Sequence, residues 1–218
     1  MSLKIKICGI NSKESFLASE KADYIGFVFF PKSPRFINAE TAKELSNLRS
    51  KNQSIVGLFV NTDEKVIEYI TEYVDLDYIQ LHGQENINQI KNIKGRTKKP
   101  VIKSLPVSSK EDVENHKDYL KICDMLLFDT MPCENDLPGG NGKNFDWRIL
   151  KDFKSKNDWM LAGGINIENV KQAVEITKAP IIDLSSALEI KQGQKCPKKI
   201  KKFLNYAKSN RILTWKKK

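Results

Sequence analysis

The sequence predicts an α/β fold, a single (β/α)8 TIM barrel with eight parallel strands. Apolar strand-like runs alternate with amphipathic helix-like runs along the chain, and strands that alternate with helices pair in parallel. Eight such pairs in 218 residues take about 27 residues each, near the short end of the range for closed barrels. No linker or shift in composition divides the chain. The alternative is an open doubly wound sheet, which usually has fewer strands.

The first strand shows the alternation most clearly. Within Lys4–Cys8, the two isoleucines fall on one face, and Lys6 and Cys8 fall on the other. A thiol at the end of a strand, two residues after an ammonium on the same face, is unusual for a structural core. The predicted strands are Lys4–Cys8, Tyr24–Phe29, Ser54–Asn61, Tyr78–His82, Pro100–Ser104, Met125–Asp129, Trp159–Ala162 and Ile181–Ser185.

Helices are predicted between these strands, and several have recognisable start signals. Asn38 and Asn166 can cap the turns that follow them, and Pro197 suits a first helical position. The predicted helices are Ser12–Glu20, Ala39–Arg49, Glu64–Tyr73, Glu85–Ile93, Ser109–Asp118, Asp146–Phe153, Glu168–Ile176 and Pro197–Ala207.

The composition narrows the class of protein. With 40% hydrophobic and 29% charged residues the chain is typical of globular proteins. No apolar run approaches the roughly 20 residues of a membrane span, so no membrane partner is expected. The four cysteines form no C-x-x-C pair, which disfavours a zinc site or a disulfide framework and indicates a reducing, cytoplasmic compartment.

The formal net charge of +10 requires an explanation. A basic patch would indicate a nucleic-acid partner, but the lysines are scattered over predicted helices and aromatic residues do not interleave with them. Solvated helix faces are the simpler interpretation, so no nucleic-acid partner is expected, whereas a positive potential suits an anionic substrate. We assign residues 1–210 to the barrel and residues 211–218 to a basic C-terminal tail.

In five of the eight predicted strands, the last inward-facing residue is a group able to hydrogen-bond or titrate. In this fold, active sites lie at the carboxyl ends of the strands. A single polar residue there can be a helix cap or a turn residue, but five that face one centre are harder to explain structurally, because apolar groups would avoid the cost of desolvation. The residues are Cys8, Asn61, His82, Asp129 and Asp183, with Ser185 beyond the last of them.

Two loops with small residues follow the last two strands. Gly163 and Gly164 come after strand seven, and Ser185 and Ser186 come after strand eight. Small residues let backbone N–H groups approach an anion, and these two loops form the usual phosphate site of the fold. A Gly-Gly pair alone can be a simple turn. Its position favours phosphate binding.

Two further loops bring cations to the predicted mouth. Pro31 and Pro34 stiffen the loop after strand two, which carries Arg35, and a guanidinium fork suits a planar carboxylate. The structural alternative is a surface arginine that caps the next helix. After strand six, the stretch from Pro138 to Lys143 lacks the spacing of a P-loop and is interpreted as a mobile lid.

Eight stretches, in order along nearly the whole chain, resemble the phosphoribosylanthranilate isomerase family. They are Lys6-Ile-Cys-Gly-Ile10, Gly26-Phe-Val-Phe-Phe-Pro-Lys-Ser-Pro-Arg35, Val56-Gly-Leu-Phe-Val-Asn61, Ile79-Gln-Leu-His-Gly83, Phe128-Asp129-Thr130, Gly139-Gly-Asn-Gly-Lys-Asn-Phe-Asp-Trp147, Leu161-Ala-Gly-Gly164 and Asp183-Leu-Ser-Ser186. The resemblance implies a (β/α)8 barrel in tryptophan biosynthesis without cofactor or metal. We expect a monomer or a homodimer that acts on a phosphorylated small molecule.

The resemblance also implies a reaction and a role for each matching residue. The reaction is an Amadori rearrangement of N-(5-phosphoribosyl)anthranilate to the 1-deoxyribulose 5-phosphate derivative. Asp129 matches the general acid for the ring oxygen, and Cys8 matches the general base for the C2′ proton. The remaining matches are Arg35 for the anthranilate carboxylate, Gly163, Gly164, Ser185 and Ser186 for the phosphate loops, and His82 and Asp183 for the lining of the site.

Two positions depart from the family pattern. Ala187 replaces the common glycine after the serine pair, and its Cβ is expected to restrict φ and loosen the hold on phosphate. Cys196 replaces the aspartate of Gly-x-Lys-Asp, which removes a cap from the last helix.

Three rival functions are less well supported by the residues. A ribulose-phosphate epimerase would need a set of metal ligands, and the only histidines are His82 and His116. An indole-glycerol-phosphate synthase would be longer and would use a Lys–Glu pair at strand ends, which we do not find. A basic nucleic-acid-binding protein would bind DNA with a steep dependence on salt.

Overall fold

The computed structural model describes residues 3–131 and 145–209, in which eight parallel strands close into a barrel. Each strand pairs with the next along the chain, and the eighth returns to the first. The strands are β1 (Lys4–Cys8), β2 (Tyr24–Val28), β3 (Ser54–Phe59), β4 (Tyr78–Leu81), β5 (Val101–Val107), β6 (Met125–Thr130), β7 (Trp159–Leu161) and β8 (Ile181–Leu184). The predicted fold class is confirmed.

Helices connect most of the strands. They are α1 (Lys13–Ala18), α2 (Ala39–Ser46), α3 (Glu64–Val74), α4 (Ile87–Thr97), α5 (Lys110–Asn115), α6 (Val170–Thr177) and α7 (Pro197–Ser209). Asn38 caps α2 as expected, because its Oδ1 accepts a hydrogen bond of 2.8 Å from Thr41 N. The last helix begins at Pro197 although Cys196 supplies no carboxylate, since the Cys196 carbonyl accepts the first helical bond from Ile200 N.

Three elements differ from the prediction. The expected helix Asp146–Phe153 is the short 3-10 helix Trp147–Leu150, and the expected helix Ser109–Asp118 divides into α5 and the 3-10 helix Lys117–Lys121. Trp147 and Leu150 are both buried, so one turn is enough to cover this part of the barrel. The fifth strand continues beyond Ser104 to Val107.

A small hairpin follows β8, after the 3-10 turn Ser186–Leu188. It pairs β9 (Glu189–Lys191) antiparallel with β10 (Gln194–Lys195). No such hairpin was predicted, because two- and three-residue strands have too short a pattern to recognise.

The apolar core has two layers, which leave one end of the barrel for chemistry. The outer layer lies between strands and helices and includes Ile5 and Ile7 of β1, as the alternation predicted. Side chains on the inner faces fill the barrel: Tyr24, Val56, Ile102, Met125, Leu127, Met160, Ala162 and Ile181. The polar inward-facing residues are concentrated towards the carboxyl ends of the strands, where this fold places its active sites.

The predicted boundary at residue 210 and the basic tail at 211–218 lie outside the described residues and stay predictions. Within the described part of the chain, no helix is both long and apolar enough to cross a bilayer.

Candidate active site

Cys8 and Lys6 share the inner face of β1, as predicted from the alternation. The Lys6 side chain is fully buried and contacts the Cys8 thiol. Gly26, the partner of Cys8 on β2, makes room for the thiol, because a Cβ at Gly26 would lie 3.1 Å from Cys8 Sγ. Burial raises the pKa of the Cys8 thiol, and the neighbouring Lys6 ammonium offsets this only in part. The thiol of the resting protein is therefore protonated near neutral pH.

Asp183 is the ion-pair partner of Lys6. The two residues are paired in register on β8 and β1, and Lys6 Nζ lies 3.0 Å from each Asp183 carboxylate oxygen. Although burial alone would lower the pKa of Lys6, the charge of Asp183 raises it above its usual range. An ammonium paired with the Asp183 carboxylate therefore lies next to the thiol.

Asp129 is the penultimate residue of β6, lies on the same inner face and is almost fully buried. Burial raises its pKa to about 6, against a hydrogen bond of 2.8 Å that Thr130 N donates to Oδ1. Asp183 also raises this pKa, whereas Lys6 lowers it. A carboxyl with this pKa is partly protonated near neutral pH and can donate a proton.

His82 lies beside Asp129, with its Nε2 3.6 Å from Asp129 Oδ2. Burial lowers the pKa of His82 to about 3, and the positive charges of Lys103 and Lys6 add to this effect. The ring is therefore neutral, and the contact with Asp129 is not an ion pair. Gln80 Nε2 lies 3.0 Å from Nδ1, which leaves Nε2 as the donor towards Ser104 Oγ at 3.3 Å.

The two loops expected to bind phosphate are adjacent to these groups. Gly163 and Gly164 have φ values of +86° and +60°, which favour glycine, and a Cβ on Gly163 would collide with Thr130 Oγ1. Ser185 Oγ donates a hydrogen bond of 3.2 Å to the Cys8 carbonyl. Gly164 and Ser186 line a common cleft of about 530 Å³, which Lys199 and Lys202 of α7 also line.

Ala187 does not carry the conformational cost expected from the sequence. It lies within the 3-10 turn Ser186–Leu188 and is not among the residues with positive φ. A glycine is therefore not required at this position, and the structure gives no support to a loosened phosphate loop.

Arg35 lies at the mouth of the barrel, but in a buried ion pair rather than alone. Its Nε and Nη2 lie 2.7 and 3.0 Å from the two carboxylate oxygens of Glu189, and the arginine is only 6% exposed. The stem of Arg35 crosses Gly9, directly after Cys8, where a Cβ would lie 2.7 Å from Arg35 Cδ. The guanidinium is thus held near the end of β1.

Sequence reasoning missed Glu189 and Lys195, which are both buried next to Arg35. Lys195 Nζ donates to Glu189 Oε1 at 2.7 Å and to the carbonyl and hydroxyl oxygens of Ser185 at 3.0 and 3.1 Å. Glu189 is 154 residues from Arg35 along the chain, and no local pattern signals such a pair.

Two other predicted residues stand apart from the acid and the thiol. Asn61 binds the loop after β4 through Oδ1, which accepts a hydrogen bond of 2.7 Å from Gln84 N, so its role is structural. The predicted lid ending at Lys143 lies outside the described residues. In the described ranges, no group of three or more His, Cys, Asp or Glu side chains is arranged to hold a metal ion.

Comparison with known proteins identifies the same family over almost the whole chain. The family model "N-(5'phosphoribosyl)anthranilate (PRA) isomerase" matches residues 5–206. An N-(5'-phosphoribosyl)anthranilate isomerase of Paracoccus denitrificans is 42% identical over 207 residues, which cover 94% of this chain and 96% of that protein.

Solved structures agree with the sequence comparison. The phosphoribosyl anthranilate isomerase of Thermotoga maritima is 37% identical, with a TM-score of 0.85 over 95% of this chain and 99% of that one. A second structure contains the enzyme in complex with reduced 1-(o-carboxyphenylamino)-1-deoxyribulose 5-phosphate, at 35% identity and a TM-score of 0.81 over the same shares of the two chains. With its barrel, its strand-end residues and these relatives, the chain belongs to the N-(5'-phosphoribosyl)anthranilate isomerase family.

Proposed function

We propose that the barrel mouth isomerises N-(5'-phosphoribosyl)anthranilate by an Amadori rearrangement, with Asp129 as general acid and Cys8 as general base. The observation that carries the proposal is the juxtaposition at the mouth of a carboxyl with a pKa of about 6 and a thiol in contact with a buried ammonium. The reaction needs one group that gives a proton and another that takes one, and the carboxyl and the thiol are the two titratable groups proposed for these roles.

Asp129 performs the first step. It protonates the ring oxygen of the ribose, the C1′–oxygen bond breaks, and the lone pair of the anthranilate nitrogen forms a Schiff base. Burial supports this role because it keeps the proton on Asp129 at a pH where an exposed aspartate is ionised. The neutral His82 leaves that proton in place, since it offers no positive charge to stabilise the carboxylate.

Cys8 performs the second step. As a thiolate it removes the proton from C2′ of the Schiff base. The electrons of the C–H bond form a C1′=C2′ double bond while the C=N π electrons move to the nitrogen, which gives an enolamine. The enol then loses its O–H proton and gains a proton at C1′ to give the ketone. The resting thiol is protonated, so it must ionise when substrate is bound. The positive charge of the Schiff base, added to that of Lys6, favours this ionisation. Asp183 keeps Lys6 charged and in place.

The remaining residues bind the two anionic ends of the substrate. Gly163, Gly164, Ser185 and Ser186 receive the phosphate, supported by the glycine conformations and the shared cleft. Arg35 receives the anthranilate carboxylate. Glu189 binds Nε and Nη2 of Arg35 and thereby fixes the orientation of the guanidinium.

Substitution of the acid and the base tests the assignment. Cys8→Ser replaces the thiol by a hydroxyl that does not ionise usefully, and Asp129→Asn cannot donate an acid proton. Positioned proton transfer contributes about 10²–10⁴-fold, so each variant should bind a product analogue normally and lose kcat by at least about 100-fold. If Cys8→Ser keeps most of the activity, thiol base catalysis is wrong, and Asp129 would serve as both acid and base.

The pH dependence of kcat/KM tests the same pair in the free enzyme. Reaction needs Asp129 protonated and Cys8 ionised, although the carboxyl has the lower pKa. The profile should therefore rise to about pH 6, stay level, and fall above the pKa of the thiol. In Asp129→Asn the inflection near pH 6 should disappear, and the residual activity should rise with pH until the thiol is ionised. An inflection unchanged in this variant contradicts the assignment.

Cytoplasmic location and a monomeric or homodimeric state stay predictions from the sequence. The residues at the mouth of the barrel favour a phosphorylated small molecule as the binding partner.

A further inference from the structure

The β9–β10 hairpin carries two buried charges that the proposed reaction does not use. Glu189 begins the hairpin and Lys195 ends it, and they are 6% and 5% exposed. Lys195 Nζ lies 2.7 Å from Glu189 Oε1, the same oxygen that accepts a hydrogen bond from Arg35 Nε at 2.7 Å. One carboxylate thus holds two cations. Although burial alone would raise the pKa of Glu189, Arg35 and Lys195 lower it, so the carboxylate stays charged.

Lys195 also reaches the loop at the other end of the substrate site. Its Nζ donates to the Ser185 carbonyl at 3.0 Å and to Ser185 Oγ at 3.1 Å. Ser185 Oγ in turn donates to the carbonyl of Cys8. A continuous set of hydrogen bonds therefore joins Arg35 to Ser185 through Glu189 and Lys195.

The hairpin that carries these charges is firmly attached to the neighbouring loops. Gly193 has a φ of +82°, and its backbone packs so closely on Pro34 that a Cβ would collide with the Pro34 carbonyl oxygen. Asn11 Nδ2 donates to the Gly193 carbonyl at 3.1 Å, and Gly193 N donates to Glu189 Oε2 at 3.3 Å. The hairpin is thus fixed to the loops that follow β1 and β2, and its two charges have defined positions.

We propose that the Glu189–Lys195 ion pair is a positioning device that fixes Arg35 and Ser185 relative to each other. Glu189 fixes the orientation of the Arg35 guanidinium towards the substrate carboxylate, and Lys195 sets the distance from that guanidinium to the phosphate loop. The pair thereby selects substrates whose carboxylate and phosphate lie at one defined separation. This inference rests on the proposed roles of Arg35 and Ser185 as substrate-binding residues.

Calorimetric titration with two stable ligands tests the inference. The first is the reduced product analogue, and the second is the same molecule without the ring carboxylate. The Kd of the second ligand divided by the Kd of the first measures the contribution of the carboxylate. Glu189→Gln should reduce this ratio by about 10- to 100-fold, because the charge-assisted contact depends on an aligned arginine. Lys191→Met, an exposed lysine on the same hairpin, is the matched control and should leave the ratio unchanged.

Lys195→Met should have a broader effect than Glu189→Gln. It should weaken both analogues and also inorganic phosphate, because Lys195 contacts Ser185 as well as Glu189. If Glu189→Gln does not fold, Glu189→Asp keeps the charge but withdraws the carboxylate, and it should still lower the ratio. An unchanged or increased ratio in either Glu189 variant overturns the inference, as does a Lys195→Met variant that binds phosphate normally.

Arg35→Ala separates the inference from the proposed function. If this variant leaves the Kd ratio of the parent unchanged, Arg35 does not bind the carboxylate and the proposed role fails. If Arg35→Ala abolishes the carboxylate contribution while Glu189→Gln retains it, only the positioning role is wrong.

Discussion

Two buried lysine–carboxylate pairs lie on opposite faces of the barrel wall. Lys6 and Asp183 are on the inner face, at 3.0 Å, and their side chains are 0% and 8% exposed. Lys103 of β5 and Glu85 are 2.8 Å apart beside the outer layer of the core, and both are 3% exposed. By distance, charge and burial the two pairs are nearly equivalent.

The remaining hydrogen bonds distinguish them. Lys103 also donates to the carbonyls of Leu81 and Gly83, and Glu85 accepts from the N–H groups of Asn61 and Gly83, so every partner is structural. Lys6 instead contacts a thiol that is able to ionise. A buried ion pair therefore does not by itself identify an active site. What identifies it is the reactive group that the pair faces.

The largest effect is expected on stability, from Lys103→Met. Removal of this ammonium leaves Glu85 buried without its ion-pair partner, which should reduce the free energy of unfolding by about 3–5 kcal/mol. The value of kcat should stay within about twofold of the parent, since the pair faces no reactive group. Urea denaturation and steady-state kinetics measure the two quantities, with exposed Lys91→Met as control. A stable Lys103→Met variant with a lower kcat would remove the distinction between the pairs.

Lys6→Met, unlike Lys103→Met, should lower kcat. An opposite charge within contact distance shifts a pKa by about 1–3 units, so loss of Lys6 should lower the thiolate fraction of Cys8, and with it kcat, by about 10- to 1,000-fold. Alkylation of Cys8 at constant pH, followed by mass spectrometry of its peptide, should slow by a similar factor. The double variant Lys6→Met/Asp183→Asn is the control, because it removes the Asp183 carboxylate that Lys6→Met alone would leave unpaired. Unchanged alkylation would mean that Lys6 has only a structural role.

The smallest effect is expected from Asp129→Asn on stability. The folded-state pKa of about 6 lies above the unfolded value of about 3.9, so the stability contributed by the proton is present below pH 4 and is lost as the pH rises through 6. The asparagine avoids this loss and should stabilise the protein by about 2–3 kcal/mol near pH 8, but by much less near pH 4. Urea denaturation at both values measures the difference. Equal effects at both would show that Asp129 titrates normally.

Much of the fold was readable from the sequence because the barrel repeats one simple pattern. Ile5 and Ile7 indicate the outer face of β1, and the same alternation places Lys6 and Cys8 inside. The fifth strand was predicted too short and the region around Trp147 was predicted as a longer helix, since tertiary contacts determine where short elements end.

The candidate site was only partly readable. Strand-end residues such as Cys8 and Asp129 are identified by their position in the repeat. Glu189 and Lys195 are not, because a charged residue in a lysine-rich chain suggests a solvated surface, and only the closed barrel brings them next to Arg35. The raised pKa of Asp129 also depends on burial, which the sequence does not specify.

The close packing of Gly26 against Cys8 affects how readily the Cys8 sulfur is oxidised between turnovers. Peroxides and other oxidants attack thiolates far faster than thiols, and they must also reach the sulfur. In the resting protein the sulfur is protonated and only slightly exposed, so it is a poor target. The burial that raises the pKa of the Cys8 thiol thus also protects the sulfur from oxidation until a substrate binds at the mouth of the barrel.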